Sequence, residues 1–178
     1  MMQSINLIIK RATANDVTLL QELSITTFTD TYVAYNTPEN MQMYIEKYFN
    51  TETLLQELNS NDNFFFIAML DDAPAGYVKL RTPFEQHASL KDKKNIELER
   101  IYVKKNLHGT GLGYKLIQHA IEFARSEGYD VLWLGVWNQN EKAIGFYEKC
   151  GFEIFGEHVF MLGTEEQIDY LMKKELKN

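Results

Sequence analysis

Glu97 and Glu99 stand two residues apart in the β-rich run Asn95–Val103, a few positions before the glycine-rich segment His108-Gly109-Thr110-Gly111-Leu112-Gly113. A strand that feeds a glycine loop into a helix start is suited to hold a pyrophosphate. The loop offers backbone N–H groups, and the unpaired donors of the first helical turn add partial positive charge. Two carboxylates just upstream place a potential base beside that anion site. Period-two alternation puts them on one face of the strand unless a bulge changes the register. An enzyme with a nucleotide-like cofactor is the functional reading; a glycine-rich turn and two solvated carboxylates is the plainer one.

Nucleotide-loop patterns narrow the cofactor. The Gly-Lys-Ser/Thr ending of a Walker loop is absent, and the dinucleotide fingerprint would need glycine at position 114, which is Tyr114. His87, His108, His119 and His158 lack metal-ligand spacing, so no metal is expected. Cys150 is the single cysteine, which excludes an internal disulfide. It falls on an apolar helical stripe with Ala143, Phe146 and Tyr147, a place for packing rather than nucleophilic attack.

The elements that must position these groups follow from the pattern. A first strand is expected over Leu7–Lys10, and a helix from Ala14, capped by Thr13 or Asn15, with Val17, Leu20, Leu23, Ser24, Thr27 and Phe28 at helical spacing. Thr37 caps a second helix with Pro38 in its first position, and Thr51–Leu58 forms a third. Phe64–Leu70 and Ala75–Leu80 form a hairpin across Asp71-Asp72, and Thr82–Lys94 reads as a mobile polar loop. The strand Asn95–Val103 then leads to a helix over Gly111–Ser126, whose Leu112, Leu116, Ile117, Ala120, Phe123 and Ala124 trace one buried face; Gly128 is its C-cap. Val131–Val136 is a strand, Asn140–Lys149 a helix, Phe152–Leu162 a strand, and Asp169–Leu176 a last strand. The sum is an α/β (α+β) chain with a mixed, mostly antiparallel sheet of about seven strands flanked by helices, read as one domain over residues 1–178.

Composition sets outer bounds. A hydrophobic fraction of 45% and a charged fraction of 24% are those of an ordinary globular protein. With a net charge of −7, nucleic acid is disfavoured as partner and a cationic ligand is favoured. No apolar run of spanning length or leader pattern is visible, so a cytoplasmic place away from membranes is expected. A monomer or a homodimer is expected.

Two motifs carry a resemblance. His108–Gly113 after Ile101-Tyr102-Val103 resembles motif A of the GCN5-related N-acetyltransferases, with Gly111 and Gly113 on its two small positions and His108 where Gln or Arg is usual. Asn140-Glu141-Lys142-Ala143-Ile144-Gly145-Phe146-Tyr147-Glu148-Lys149-Cys150-Gly151-Phe152 resembles that family's second signature. Further stretches, among them Gly76–Lys79, Ile96–Tyr102, Trp133–Trp137 and Glu165–Gln167, are similar to its spermidine/spermine-acetylating subgroup.

The resemblance implies the family's fold and acetyl-CoA as cosubstrate, with pyrophosphate on the backbone of His108, Gly109, Thr110, Gly111, Leu112 and Gly113. It implies a pantetheine arm paired like a strand with Ile101, Tyr102 and Val103, and contacts from Asn140 and Lys149. Glu97 and Glu99 are the candidates for general base, directly or through water, and Glu97 is the better match by the same resemblance; the alternative is that the pair binds the cationic substrate electrostatically. Tyr147 is the general acid the resemblance implies. Each has a plainer reading: Asn140 as a helix cap, Lys149 as an exposed C-terminal cation, Tyr147 as core. The acceptor implied is a primary amine, most simply a polyamine such as spermidine. A protein N-terminus, a lysine or a small metabolite amine are alternatives, as is a weakly catalytic acetyl-CoA-sensing module.

Overall fold

The computed structural model describes residues 6–85 and 87–177. Seven strands form one sheet: β1 (Leu7–Arg11), β2 (Asn63–Leu70), β3 (Ala73–Arg81), β4 (Asn95–Val103), β5 (Val131–Trp137), β6 (Glu153–Leu162) and β7 (Glu165–Glu175). Their spatial order is β1-β2-β3-β4-β5-β7-β6. Every pair is antiparallel except β4 with β5. This is the mixed, mostly antiparallel sheet expected from the pattern. Among the described residues there are five α-helices: α1 (Val17–Tyr32), α2 (Pro38–Tyr48), α3 (Thr51–Asn59), α4 (Leu112–Ser126) and α5 (Glu141–Lys149).

The local signals act as their chemistry requires. The Thr37 side chain accepts from the Asn40 N–H at 3.2 Å, with Pro38 opening α2. Asn50 caps α3 and Asn140 caps α5 in the same way. At the β2–β3 turn, Asp71 (φ 48°) and Asp72 (φ 64°) take the left-handed conformations a tight hairpin demands.

The sheet separates two apolar layers. Ile96 and Leu98 of β4, Leu132, Leu134 and Val136 of β5 and Met172 of β7 pack under α4 with Leu116, Ile117, Ala120 and Ile121. Tyr147, Cys150 and Phe152 join this layer from α5 and the chain after it. On the other face, Phe65, Ile67 and Tyr77 meet α1 and α3, while Phe28, Met41, Phe49 and Leu162 close a cluster under α1 and α2.

Three expectations are corrected. Thr82–Lys94 is not simply an open loop, because a 3₁₀ turn at Ala88–Leu90 drives Leu90 into the core. The last strand begins at Glu165, not Asp169, as the second arm of a hairpin with β6. Ile121 belongs to the buried face of α4, and Phe123 is only half-buried there.

β4 and β5 are the feature that positions the site. They pair only from Asn95↔Val131 to Glu97↔Trp133 and then part. Trp133 Nε1–H donates to Asn95 Oδ1 at 3.0 Å, tying the strands together at the closed end. Beyond it, β4 from Leu98 to Val103 keeps β3 on one side and, among the described residues, has no strand on the other.

Candidate active site

The open edge of β4 runs into the glycine loop. Gly109 (φ 80°) and Gly111 (φ 85°) both adopt left-handed backbone, which a side chain would strain, and Gly111 caps α4. The first helical bond of α4 is Lys115 N–H to the Gly111 carbonyl at 3.1 Å. Among the described residues, the N–H groups of Gly109, Gly111, Leu112, Gly113 and Tyr114 meet no backbone acceptor. Such donors at a helix start are what a phosphate takes. Thr110 Oγ1 donates back to the Leu107 carbonyl at 2.7 Å, and His108 Nε2–H donates to the Val103 carbonyl at 2.8 Å. The histidine thus fastens the loop to the end of the strand.

α5 closes the other side. The Phe146 ring stands 3.8 Å from where a Cβ on Gly113 would lie, so α5 packs close to the start of α4. Tyr147 is buried, edge-on to Phe146 and Phe152, with its phenol pushed upward by burial and by the neighbouring Tyr32. Lys149 is exposed one turn past Phe146. Cys150 is buried and burial raises its thiol, so it packs.

Glu97 and Glu99 do share the α1–α3 face, but a bulge intervenes. Lys79 faces Arg100 while Leu80 faces Leu98, which leaves Glu99 as the extra residue of β4. Ile96 and Leu98 point to the α4 layer before the bulge, Ile101 and Val103 after it. Glu97, Glu99, Arg100 and Tyr102 therefore all lie on the opposite face.

Six charges meet there. Arg81 Nε lies 2.6 Å from Glu97 Oε2, and Arg81 Nη1 lies 3.5 Å from Glu99 Oε1. Lys79, only 1% exposed, pairs with Glu99 and sits 2.7 Å from Glu57 Oε1 of α3. Arg100 stands 3.5 Å from both Glu57 and Glu99.

Burial pushes Glu99 upward, but Arg100, Lys79 and Arg81 overcome it and hold its carboxyl at about 2. Glu97 has chiefly Arg81 against the same burial, and its carboxyl rests above the ordinary range. The two carboxylates are thus unlike: one is fixed as a counter-ion, the other is nearer to accepting a proton at neutral pH.

The arrangement combines an open strand edge, a free N–H cradle at its end, a buried phenol on one side and a carboxylate of raised proton affinity on the other. Residues 23–152 match the acetyltransferase (GNAT) family. The chain belongs to this family. An uncharacterized N-acetyltransferase of Lactobacillus delbrueckii subsp. lactis is 41% identical over 154 residues, 86% of this chain and 88% of the relative.

Among solved structures, a PaiA N-acetyltransferase from Thermoplasma acidophilum in complex with coenzyme A superposes with a TM-score of 0.78. It is 24% identical, covering 96% of this chain and 99% of that one. The ribosomal-protein-S18-alanine N-acetyltransferase of Escherichia coli gives 0.72 at 16% identity, covering 97% of this chain and 96% of its own. Both likenesses are of fold.

As a GNAT enzyme the protein is an N-acetyltransferase with acetyl-CoA as cosubstrate. The free N–H groups of the loop and the unpaired edge of β4 fit a ligand that carries a pyrophosphate and an amide-bearing arm. Among the described residues no group of histidine, cysteine and acidic side chains could hold a metal ion, and no helix is long and apolar enough to cross a membrane.

Sequence reasoning passed over two parts of this site. Tyr32 ends α1 in the neighbourhood of Tyr102 and Tyr147, and the cations Lys79, Arg81 and Arg100 set the state of both glutamates. The alternating Lys79 and Arg81 in an otherwise apolar strand are the signal that could have marked the second.

Proposed function

We propose that the protein transfers the acetyl group of acetyl-CoA directly to a primary amine of a polyamine such as spermidine. One observation carries the reading: β4 leaves β5 after Glu97 and presents an unpaired edge that ends in the free N–H cradle of Gly109–Gly113. The polyamine acceptor is supported by the subgroup resemblance of stretches such as Trp133–Trp137 and by the net charge of −7.

Acetyl-CoA supplies the acetyl group as a thioester. The backbone of Ile101, Tyr102 and Val103 aligns the donor's arm, and the loop from His108 to Gly113 holds its pyrophosphate. Asn140 orients the start of α5, and Lys149 offers a cation to the donor's outer phosphates. A primary ammonium has a pKa near 10, so roughly one molecule in a thousand is the free amine at pH 7. Glu97, raised by burial, takes that proton directly or through one water. Glu99, held ionised by three cations, positions rather than accepts. The Tyr147 phenol, kept protonated by burial, gives its proton to the departing thiolate.

The test is release of CoA thiol by the purified protein with acetyl-CoA and spermidine, spermine, lysine peptides, an alanine-terminal peptide and small amines. Turnover fastest with polyamines is expected. Turnover of peptides without polyamines would remove the substrate assignment, and CoA binding without any thiol release would leave a CoA-sensing module. Tyr147→Phe should lower kcat about 10- to 100-fold with CoA affinity kept. For Glu97→Gln the loss should be largest at neutral pH and shrink toward pH 10; a loss that ignores pH would mean positioning instead.

A further inference from the structure

Among the described residues, β7 carries a carboxylate that no cation answers. Asp169 lies on β7, opposite Trp137 of β5 and opposite His158 of β6. Leu132, Leu134 and Val136 of β5 point into the α4 layer, so Trp133, Gly135 and Trp137 face the α1 side, and Asp169 and His158 face it with them. Gly135 provides the room. A Cβ there would stand 3.3 Å from Asp169 Oδ2 and 3.3 Å from His158 Cε1.

The turn after α1 covers this place. The Tyr35 ring stands edge-on to Trp137 at 5.2 Å, and Gln167 Nε2 of β7 donates to Asn36 Oδ1 at 3.0 Å. Tyr32 is near enough for charge on Asp169 to raise its phenol, and it is near enough to Tyr147 to raise that one too. Asp169 and Tyr147 therefore have Tyr32 as a common neighbour.

Among the described residues nothing offsets its charge. Burial alone acts on the carboxyl and lifts it to about 6. His158, the nearest group able to become a cation, is pushed toward its neutral form by burial and then by His87. An ionised group removed from water without a partner is costly, and such a site is satisfied by a ligand of opposite charge. Flanking aromatic rings favour an alkylammonium over a metal ion.

We propose that Asp169 seats the ammonium group of the acceptor beside Trp137 and Tyr32, making it a specificity-determining residue for cationic alkyl amines. This rests on the acetyl-transfer reading. Asp169 attracts the protonated amine and holds it beside the donor, and the proton then passes to water, through which Glu97 can take it up. A neutral or acidic acceptor gains nothing from this carboxylate.

Asp169→Asn keeps the shape and removes the charge. With spermidine, KM should rise about 10- to 100-fold, the range for losing a charge-assisted hydrogen bond, while kcat changes less and CoA affinity by calorimetry is unchanged. Spermidine titrated into the CoA-loaded protein should bind the wild type and bind Asp169→Asn at least tenfold more weakly. Asp169→Glu should recover part of the affinity, and thermal melting confirms that each variant is folded. An unchanged spermidine KM and affinity in Asp169→Asn would overturn the proposal while wild-type turnover kept acetyl transfer standing. A loss of CoA affinity along with spermidine affinity would also overturn it, since that is a structural effect. If the wild type released no thiol with any amine, acetyl transfer would fall, and the spermidine titration would decide Asp169 by itself.

Discussion

On the β4 wall of the cleft, Glu57, Glu97 and Glu99 face Lys79, Arg81 and Arg100, three charges against three. On the β7 wall, Asp169 faces Trp137, His158 and the space above Gly135. Both walls bury carboxylates, with opposite results. The paired set holds Glu99 down to about 2, while the lone group rises to about 6. Glu99 and the cations around it are spent on shaping the bulged strand, whereas on the proposed reading the unpaired Asp169 is left for something that arrives from outside.

The comparison can be broken most directly at Glu99. Glu99→Ala leaves the buried Lys79 and Arg100 with only Glu57 between them and should destabilise by about 3 kcal/mol in urea unfolding. A loss under 1 kcal/mol would mean that the cluster is solvated rather than structural.

The pH profiles of the two walls should run in opposite directions. Glu99 has a folded value below its ordinary one, so the stability it adds is complete above about pH 5 and fades as pH falls toward 2. Asp169 has a folded value above its ordinary one, so it costs nothing below about pH 4, and the cost grows up to about pH 6. Discounted for its partial exposure, that cost is about 1 kcal/mol. In the absence of ligand, Asp169→Asn should therefore be more stable than wild type by that amount at pH 7.5, and equal to it at pH 4. Equal stability at both pH values would show that solvent already satisfies the carboxylate.

The smallest effect is expected at Gly135. Gly135→Ala makes Asp169 and His158 give by a few tenths of an ångström. Stability should fall by less than about 1 kcal/mol, and the KM for spermidine should rise only a few-fold. A change as large as that of Asp169→Asn would place the fit of the pocket above its charge.

Legibility in the sequence followed how local each cause was. Gly109 and Gly111 were readable because left-handed backbone at a helix start calls for glycine, and Thr37 and Asn140 because capping needs a short side-chain acceptor. The bulge at Glu99 carries no such mark; cross-strand register with β3 makes it. β7 was read late because Glu165-Glu166-Gln167 is polar, as suits a hairpin arm whose outer part is largely exposed. Leu90 was hidden in a polar stretch for the opposite reason: one apolar side chain anchors a segment otherwise turned to solvent. Asp169 was named only as the start of a strand, because its isolation depends on residues of β5, β6 and α1. The signal that pointed to it lies elsewhere in the chain. Gly135 in the middle of an apolar strand marks a place where something must come close.

The cover of the acceptor side is fastened by uncharged groups. Gln167 bonds Asn36, and the Thr164 N–H donates to the Asn40 side chain at 3.1 Å, so among the described residues the hydrogen bonds that tie the turn after α1 and the start of α2 to the β6–β7 hairpin come from uncharged groups. Such bonds do not titrate and are indifferent to ionic strength. The roof therefore keeps its shape across the conditions in which Asp169 and an incoming amine change charge. A rate that varies with salt then reports the encounter of the charges, with the enclosure acting as a constant.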